Sequence, residues 1–403
     1  MPAFRMSFAL AAALVASPVL AGSLSEADRA AMQRALALAA LGRWSTRPNP
    51  LVGCVLVNAG EVVGEGWHVR AGEPHAEVHA LRQAGEGARG ATAYVTLEPC
   101  AHHGRTPPCA EALVAAGVAR VVAAHTDPDP RVAGAGLARL REAGIRAEVG
   151  LLGEEARKLN RGFLSRIERG RPWLRLKLAL SLDGRMALAD GRSSWITGPA
   201  ARADGHRSRA AAGVLLAGIG SVLSDDPQLT VRLPQGDLTA ETNGLAPAAP
   251  ATTVPLLLDT QARLPASARL LDLHPSILWA HADDAWTTAR VAEMTARFPA
   301  LQALPCPLRD GRIDLPWLLT QLANRQINEI HAEAGPTLAD ALLRADLVDE
   351  LQIYQAGKWL GAGALQPFRW PLANAMPARQ WIAEDCAVLD GDLRQNWIRT
   401  DNA

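Results

Sequence analysis

Residues 75–80 read HAEVHA, and residues 96–109 read TLEPCAHHGRTPPC. The first stretch sets Glu77 two residues after His75; the second sets Cys100 and Cys109 each directly after a proline. The chain holds only five cysteines in 403 residues, so two this close together need a reason. A hydrolytic metal centre supplies one. Zinc takes three protein ligands, keeps a fourth position open for water, and lowers that water's pKa. His75, Cys100 and Cys109 offer three ligands, and Glu77 offers a carboxylate that carries protons without binding the metal. The surroundings agree: ATAYVT reads as a strand running into Cys100, and CAEALVAAG reads as a helix opening at Cys109, where the helix dipole favours a thiolate.

His-x-Glu followed by Pro-Cys and a second cysteine is the arrangement of zinc deaminases. The usual Cys-x-x-Cys spacing is lengthened here by AHHGRTPP, so that loop bulges beside the metal and can shape a substrate pocket. His102 and His103 are rival ligands as well, but together with Arg105 they read as pocket residues. His79 is a rival ligand, one helical turn from His75 on the same face, but a site built on that pair leaves both cysteines without a role. Cys54, in the apolar run LVGCVLV, reads as core.

Composition narrows the rest. A chain of this length is expected to form two domains. Apolar residues make up 49% and charged residues 20%, ordinary for a globular protein, and the formal net charge is zero. No global electrostatic argument therefore favours nucleic acid or a membrane surface. Lysine is scarce (Lys158, Lys177 and Lys358), which singles out Lys177 inside the apolar run LRLKLALSL. Sparse cysteines argue against a disulfide framework. Residues 1–22, MPAFRMSFALAAALVASPVLAG, have the grammar of a secretory leader and are too short for a stable membrane span.

Along the chain, SEADRAAMQRALALAALGRW reads as an amphipathic helix with Ser25 as N-cap and Asp28 three residues on. LVGCVLV and EVVGEGW flank NAG as a hairpin. Helices and strands then alternate to about residue 150, which predicts an α/β sandwich. EEARKLNRGFLSRIERGRP reads as one charged helix ending near Gly170 and Pro172, where a domain boundary is expected. A second alternation begins at WLRLKLALSLDGR. Residues 234–255, rich in Pro, Ala, Thr and Gly, read as a mobile surface loop.

PNPLVGCVLV, GEGWH, AGEPHAEVHAL, ATAYVTLEPCAHHGRTPPC and AGVARVVAA together resemble the deaminase half of the bifunctional riboflavin-biosynthesis deaminase/reductase family. The resemblance implies a cytidine-deaminase-like α/β/α sandwich over 23–169, zinc on His75, Cys100 and Cys109, and Glu77 as proton shuttle. It implies a pyrimidine substrate carrying a ribosylamino phosphate, gripped by Asn49 and the HHGR loop.

In the second half, LLAGIGSVLSDD and IHAEAGPTLADALL each follow an apolar strand with glycines that open a helix, as a dinucleotide phosphate site needs. Each falls short of the full G-x-G-x-x-G pattern. With LKLALSLDGR, SSWITG, AGIGSVLSDDPQLTVR and LVDEL, they resemble the reductase half of the same family. That resemblance implies a dihydrofolate-reductase-like α/β domain over 170–403 that uses NADPH. By matching position, Ala179, Trp195, Ser221, Asp225 and the run Gly335, Pro336, Thr337, Leu338, Ala339, Asp340 and Ala341 contact NADPH. Lys177, Ser193, Arg209, Leu229, Arg232 and Glu333 contact substrate, and the two arginines suit a phosphate. The resemblance covers about residues 25–360. Gly357 stands where the family commonly has proline.

The implied activity is hydrolytic deamination of a diaminopyrimidinone ribosylamino phosphate followed by NADPH-dependent reduction of its ribosyl group. The implied partners are small molecules, with neither nucleic acid nor membrane, and a homo-oligomer is expected, dimer or tetramer. NADPH and zinc-ligating thiolates belong in the cytoplasm, so residues 1–22 are expected to be dispensable. The rival readings are a nucleoside or nucleic-acid deaminase with an unrelated appendage, and a catalytically silent scaffold.

Overall fold

The computed structural model describes residues 24–101, 108–130, 132–188, 196–233, 237, 247–368 and 380–400. Its first half contains α1 (Glu26–Ala40), β1 (Gly53–Asn58), β2 (Glu61–Trp67), α2 (Ala76–Ala84), β3 (Thr92–Val95), α3 (Cys109–Ala116), β4 (Arg120–Ala123), α4 (Ala135–Glu142) and β5 (Arg146–Val149). The strands form one sheet in the order β2-β1-β3-β4-β5. β1 pairs antiparallel with β2 and β3, and β3, β4 and β5 run parallel. Alternating side chains feed two cores. Cys54, Leu56, Ala93 and Val95 pack on one face with Ala80, Leu113 and Leu140 from α2, α3 and α4. Val55, Tyr94 and Val122 pack on the other with Met32, Ala35 and Leu38 of α1. This is the expected α/β/α sandwich.

The expected capping box forms at α1, with Ser25 and Asp28 satisfying each other's backbone N–H. Asp28 does more than cap: its carboxylate also accepts from Tyr94 Oη and Arg120 Nη1, both at 2.6 Å. Two sequence expectations are corrected. β3 ends at Val95 rather than running to Cys100: Thr96 makes the last bonds to β1, its N–H donating to Gly53 O and its Oγ1 accepting from Gly53 N, both at 3.1 Å, and Glu98 N then donates to His125 O instead. The single charged helix is two, α5 (Gly153–Leu159) and α6 (Arg161–Arg169). The break falls at Asn160, whose side chain accepts from Leu51 N at 2.7 Å and donates to Leu51 O at 2.9 Å. α6 then ends at Gly170, φ +66°, next to the expected boundary.

The second half contains β6 (Trp173–Leu180), α7 (Pro199–Ala211), β7 (Val214–Gly218), α8 (Ile219–Asp225), β8 (Val254–Leu258), α9 (Leu270–Leu273), β9 (Ile277–Ala282), α10 (Ala285–Arg297), β10 (Leu301–Cys306), β11 (Leu308–Arg309), β12 (Arg312–Ile313), α11 (Leu315–Asn324), β13 (Glu329–Glu333), α12 (Pro336–Arg344), β14 (Glu350–Gln355), β15 (Trp381–Leu389) and β16 (Asp392–Arg399). Nine strands make one sheet in the order β10-β9-β8-β7-β13-β6-β14-β16-β15. The run from β10 to β14 is parallel, and β14, β16 and β15 are antiparallel. β13 returns late to lie between β7 and β6, which puts a topological switch at the middle of the sheet. Such a switch opens a crevice at the carboxyl ends of the strands. Gly357 lies beyond the end of β14, so that strand keeps its pairing with both β6 and β16.

Candidate active sites

In the first half, His75 is the N-cap of α2, Cys109 is the first residue of α3, and Cys100 lies in the turn after β3. Their ligand atoms lie within 4.8 Å of one another. His75 Nδ1 is 3.2 Å from Cys109 Sγ and 3.7 Å from Cys100 Sγ, and Cys109 N donates to Cys100 Sγ at 3.3 Å. The Cys109 side chain, helped by His75, holds the Cys100 thiol well below its ordinary value, against the opposing effect of burial. Its bond to Cys100, and then burial, push the Cys109 thiol up. One imidazole nitrogen and two sulfurs, gathered this closely, are a donor set suited to zinc.

Glu77 lies in the first turn of α2, 3% exposed, and its Oε2 has no hydrogen-bond partner among the described residues. Burial pushes its carboxyl above the ordinary value. A buried carboxylate oxygen left unpaired costs about 1–3 kcal/mol, so its place beside the sulfurs fits a working group rather than a structural one. His79, the rival ligand, is absent from the donor cluster. Cys54 is fully buried in the core, as expected.

Close backbone approach puts these groups together. A Cβ at Gly66 of β2 would stand 2.5 Å from Ala76 O, so only glycine lets the start of α2 lie this near the sheet. A Cβ at Gly136 of α4 would stand 1.8 Å from Pro99 O, beside Cys100. The same turn is fixed by Glu98, which sequence reasoning missed. Its buried carboxylate accepts from the backbone N–H groups of Gly136 (2.9 Å), Leu137 (3.2 Å), Gly134 (2.9 Å) and Asp127 (3.2 Å). It thereby caps α4 and clamps the residue two before the first cysteine. His68, also missed, lies edge-on to His75 with ring centroids 5.2 Å apart, and its Nε2 is 3.0 Å from Asn49 Nδ2. Asn49 is thereby tied to the metal-ligand cluster. His102, His103 and Arg105 lie outside the described residues.

The second half holds a cavity of about 920 Å³ at the carboxyl ends of β6, β7, β8 and β13, large for a ligand site. Its walls include Lys177, Ala179, Arg209, Ser221, Asp225, Leu229 and Glu333, with Gly335–Leu338 and Ala341 of α12. Twelve expected contacts from dispersed stretches of sequence thus meet at one cavity. Glu333 takes a two-pronged ion pair from Arg209, Nε at 2.5 Å and Nη2 at 2.8 Å. Burial would raise the Glu333 carboxyl, but Arg209 holds it well below its ordinary value. Burial also pushes the Lys177 amine down, opposed by Glu333. Leu229 reaches the wall with φ +52°, a strained conformation for a branched side chain.

Three expected contacts fall elsewhere. Ala339 packs into the core with Leu342 and Leu343, because that stripe of α12 faces the sheet. Asp340 accepts from Arg344 Nε at 2.9 Å. Arg232 is exposed and donates to Gln228 Oε1 at 2.7 Å, off the cavity wall. Ser193 and Trp195 lie outside the described residues, as does most of 234–255; the last residues of that stretch begin β8.

Comparison with known proteins identifies the family of each half. The family model for the cytidine and deoxycytidylate deaminase zinc-binding region matches residues 25–125, and that for the RibD C-terminal domain matches residues 172–372. Fold and site thus define an enzyme that joins a zinc-binding deaminase region to a reductase domain. The riboflavin biosynthesis protein RibD of Escherichia coli K12 is 52% identical over 339 residues, 84% of this chain and 89% of that protein. The RibD of Haemophilus influenzae is 45% identical over 374 residues, 92% and 97% of the two chains. A solved RibD structure from Acinetobacter baumannii is 42% identical, covers 93% of this chain and 99% of that one, and superposes with a TM-score of 0.81. The chain belongs to the RibD family of bifunctional riboflavin-biosynthesis enzymes, with a zinc-dependent deaminase and an NADPH-dependent reductase on one polypeptide. Among the described residues, no helix is long and apolar enough to cross a membrane.

Proposed function

We propose that the chain deaminates 2,5-diamino-6-(5-phosphoribosylamino)pyrimidin-4-one and then reduces the ribosyl group of the product, giving 5-amino-6-(5-phosphoribitylamino)uracil. The observation that carries the first step is the cluster of His75, Cys100 and Cys109 beside the unpaired Oε2 of Glu77. These three residues would hold zinc, which when bound supplies the Lewis acidity that makes water nucleophilic at neutral pH. Glu77 takes the proton that water gives up as its oxygen bonds to the amidine carbon. It returns that proton to the amino group, which leaves as ammonia. Asn49, held by His68, orients the pyrimidine.

The second step rests on the cavity. The backbone N–H groups of Gly335 and Thr337, at the start of the nine-residue α12, suit the phosphates of NADPH, with Ala179, Ser221, Asp225 and Ala341 along its length. NADPH supplies the hydride. Lys177, Arg209, Leu229 and Glu333 hold the substrate, and Lys177 and Asp225 act mainly by placement. The active units are assigned to 23–169 and 170–403. Homo-oligomerisation is supported by β15, a sheet edge exposing Ile382 and Val388, and the NADPH requirement supports a cytoplasmic site of action.

The test supplies the diamino substrate to the zinc-loaded protein with and without NADPH and follows the products by mass. Ammonia release without NADPH, and ribityl product only with it, supports the reading. Deamination of cytidine or of cytosine in nucleic acid instead, with no NADPH oxidation, would favour the rival deaminase.

A further inference from the structure

The loop Arg47–Pro50, which carries Asn49, is held by the reductase half. Arg47 Nη1 donates to Ala210 O at 2.5 Å and to Ala211 O at 2.9 Å, and Nη2 donates to Ala251 O at 2.8 Å. Asn328 Nδ2 donates to Pro48 O at 2.9 Å, and Asn328 Oδ1 accepts from Arg166 Nε at 2.6 Å. Trp44 O accepts from Ala251 N at 2.7 Å. Asn49 therefore sits between two residues, Arg47 and Pro48, tethered to the second half on one side and His68 of the metal-site region on the other.

The contact matters equally to the other site. Ala210 and Ala211 are the last residues of α7, and the final carbonyls of a helix lack intrahelical partners and carry partial negative charge. Arg47 satisfies two of them with a cation. The residue just before Ala210 is Arg209, which grips Glu333 in the reductase cavity. Thr253 Oγ1, two residues after Ala251, shares its single O–H between Arg209 O and Ala212 O, both at 3.0 Å. Arg47 thus stands two residues from a substrate-gripping side chain of one site and in contact with the neighbour of a substrate-gripping side chain of the other.

We propose that Arg47 is a positioning residue shared by the two active sites: it seats Asn49 against the deaminase pocket and sets Arg209 at the end of α7. A guanidinium suits the task because its two Nη groups reach two adjacent carbonyls and a third at once, which a lysine ammonium does not reproduce. Asn328 acts on one side only. It sits just ahead of β13, at the opposite end of that strand from Glu333, and its side chain bonds Pro48 O and Arg166 of α6.

The inference rests on the proposed roles of Asn49 and Arg209, and the experiment separates the two. Steady-state kinetics are measured for each half-reaction on the full chain, with zinc content determined for each variant. Arg47→Ala is expected to raise KM for the diamino substrate and KM for the deaminated intermediate roughly ten-fold each, with kcat within about two-fold and zinc retained. Arg47→Lys is expected to recover part of both losses. Asn328→Ala is expected to raise KM of deamination alone and to leave reduction unchanged. Unaltered KM in either half-reaction of Arg47→Ala overturns the proposal, as does an equal fall in kcat of both steps at constant KM, the mark of a merely structural role. If Arg47→Ala does not fold, Asn328→Ala decides: no change in its deamination KM overturns the proposal. Asn49→Ala is the control. If it leaves deamination KM unchanged, the assignment of Asn49 fails and this inference with it; if it raises KM while Arg47→Ala does not, this inference alone fails.

Discussion

Lys177 carries its charge against its surroundings. Burial lowers its pKa below the ordinary 10.5 even with Glu333 nearby, so the unfolded chain holds that proton more tightly than the folded one. From this group, stability rises with pH between the lowered folded value and 10.5, and below both the ammonium is a constant cost. Lys177→Met is therefore expected to raise Tm at pH 7 in the ligand-free protein while reduction falls about 100-fold or more. A lower Tm in thermal denaturation would contradict the sign. Such residues differ in how readable they are. His75, Glu77, Cys100 and Cys109 stand out in the sequence because they fall in two short motifs, three of them at helix starts and Cys100 in the turn that follows β3. Arg47 does not, since its carbonyl partners lie 163 and 164 residues downstream and no local pattern marks them.

At the scale of single elements, the metal-site region depends on helices pressed against backbone. Gly66→Ala puts a methyl 2.5 Å from Ala76 O and forces the start of α2, with His75 and Glu77, away from the sheet. It is expected to lower stability by about 1–3 kcal/mol, read by urea unfolding, and to weaken zinc retention on dialysis against a mild chelator. Full zinc retention would mean α2 can slide without moving His75. Glu98→Ala strips the cap from α4 and leaves the buried N–H groups of Gly136 and Leu137 short of an acceptor, so it is expected to cost about 2–4 kcal/mol and to loosen Cys100. A loss below 1 kcal/mol, on the order of a surface change, would contradict that role. Periodicity and caps made α1 to α4 and the β1–β2 hairpin readable. They did not show the break at Asn160, which exists because that side chain pairs with Leu51, nor β15 and β16, whose mixed polar pattern belongs to the half-exposed antiparallel end of the sheet.

At the scale of the molecule, two sheets carry two chemistries that share one substrate skeleton. Metal ligands occur in the first half and the large cavity in the second, so zinc removal should separate the activities. Chelation is expected to stop ammonia release while NADPH oxidation continues when the deaminated intermediate is supplied. Parallel loss of both steps would mean that the metal supports the whole fold. The alternation of strand and helix revealed two α/β units in the sequence, but not the contact between them, since loop docking leaves no periodic trace. The most direct test of the account is NADPH oxidation started from the diamino substrate, in the zinc-loaded wild type and in Glu77→Gln. The wild type should release ammonia first and consume NADPH after a lag. Glu77→Gln should retain zinc, do neither, and regain NADPH oxidation when given the deaminated intermediate. NADPH consumed by Glu77→Gln directly from the diamino substrate, or never consumed by the wild type, would contradict it.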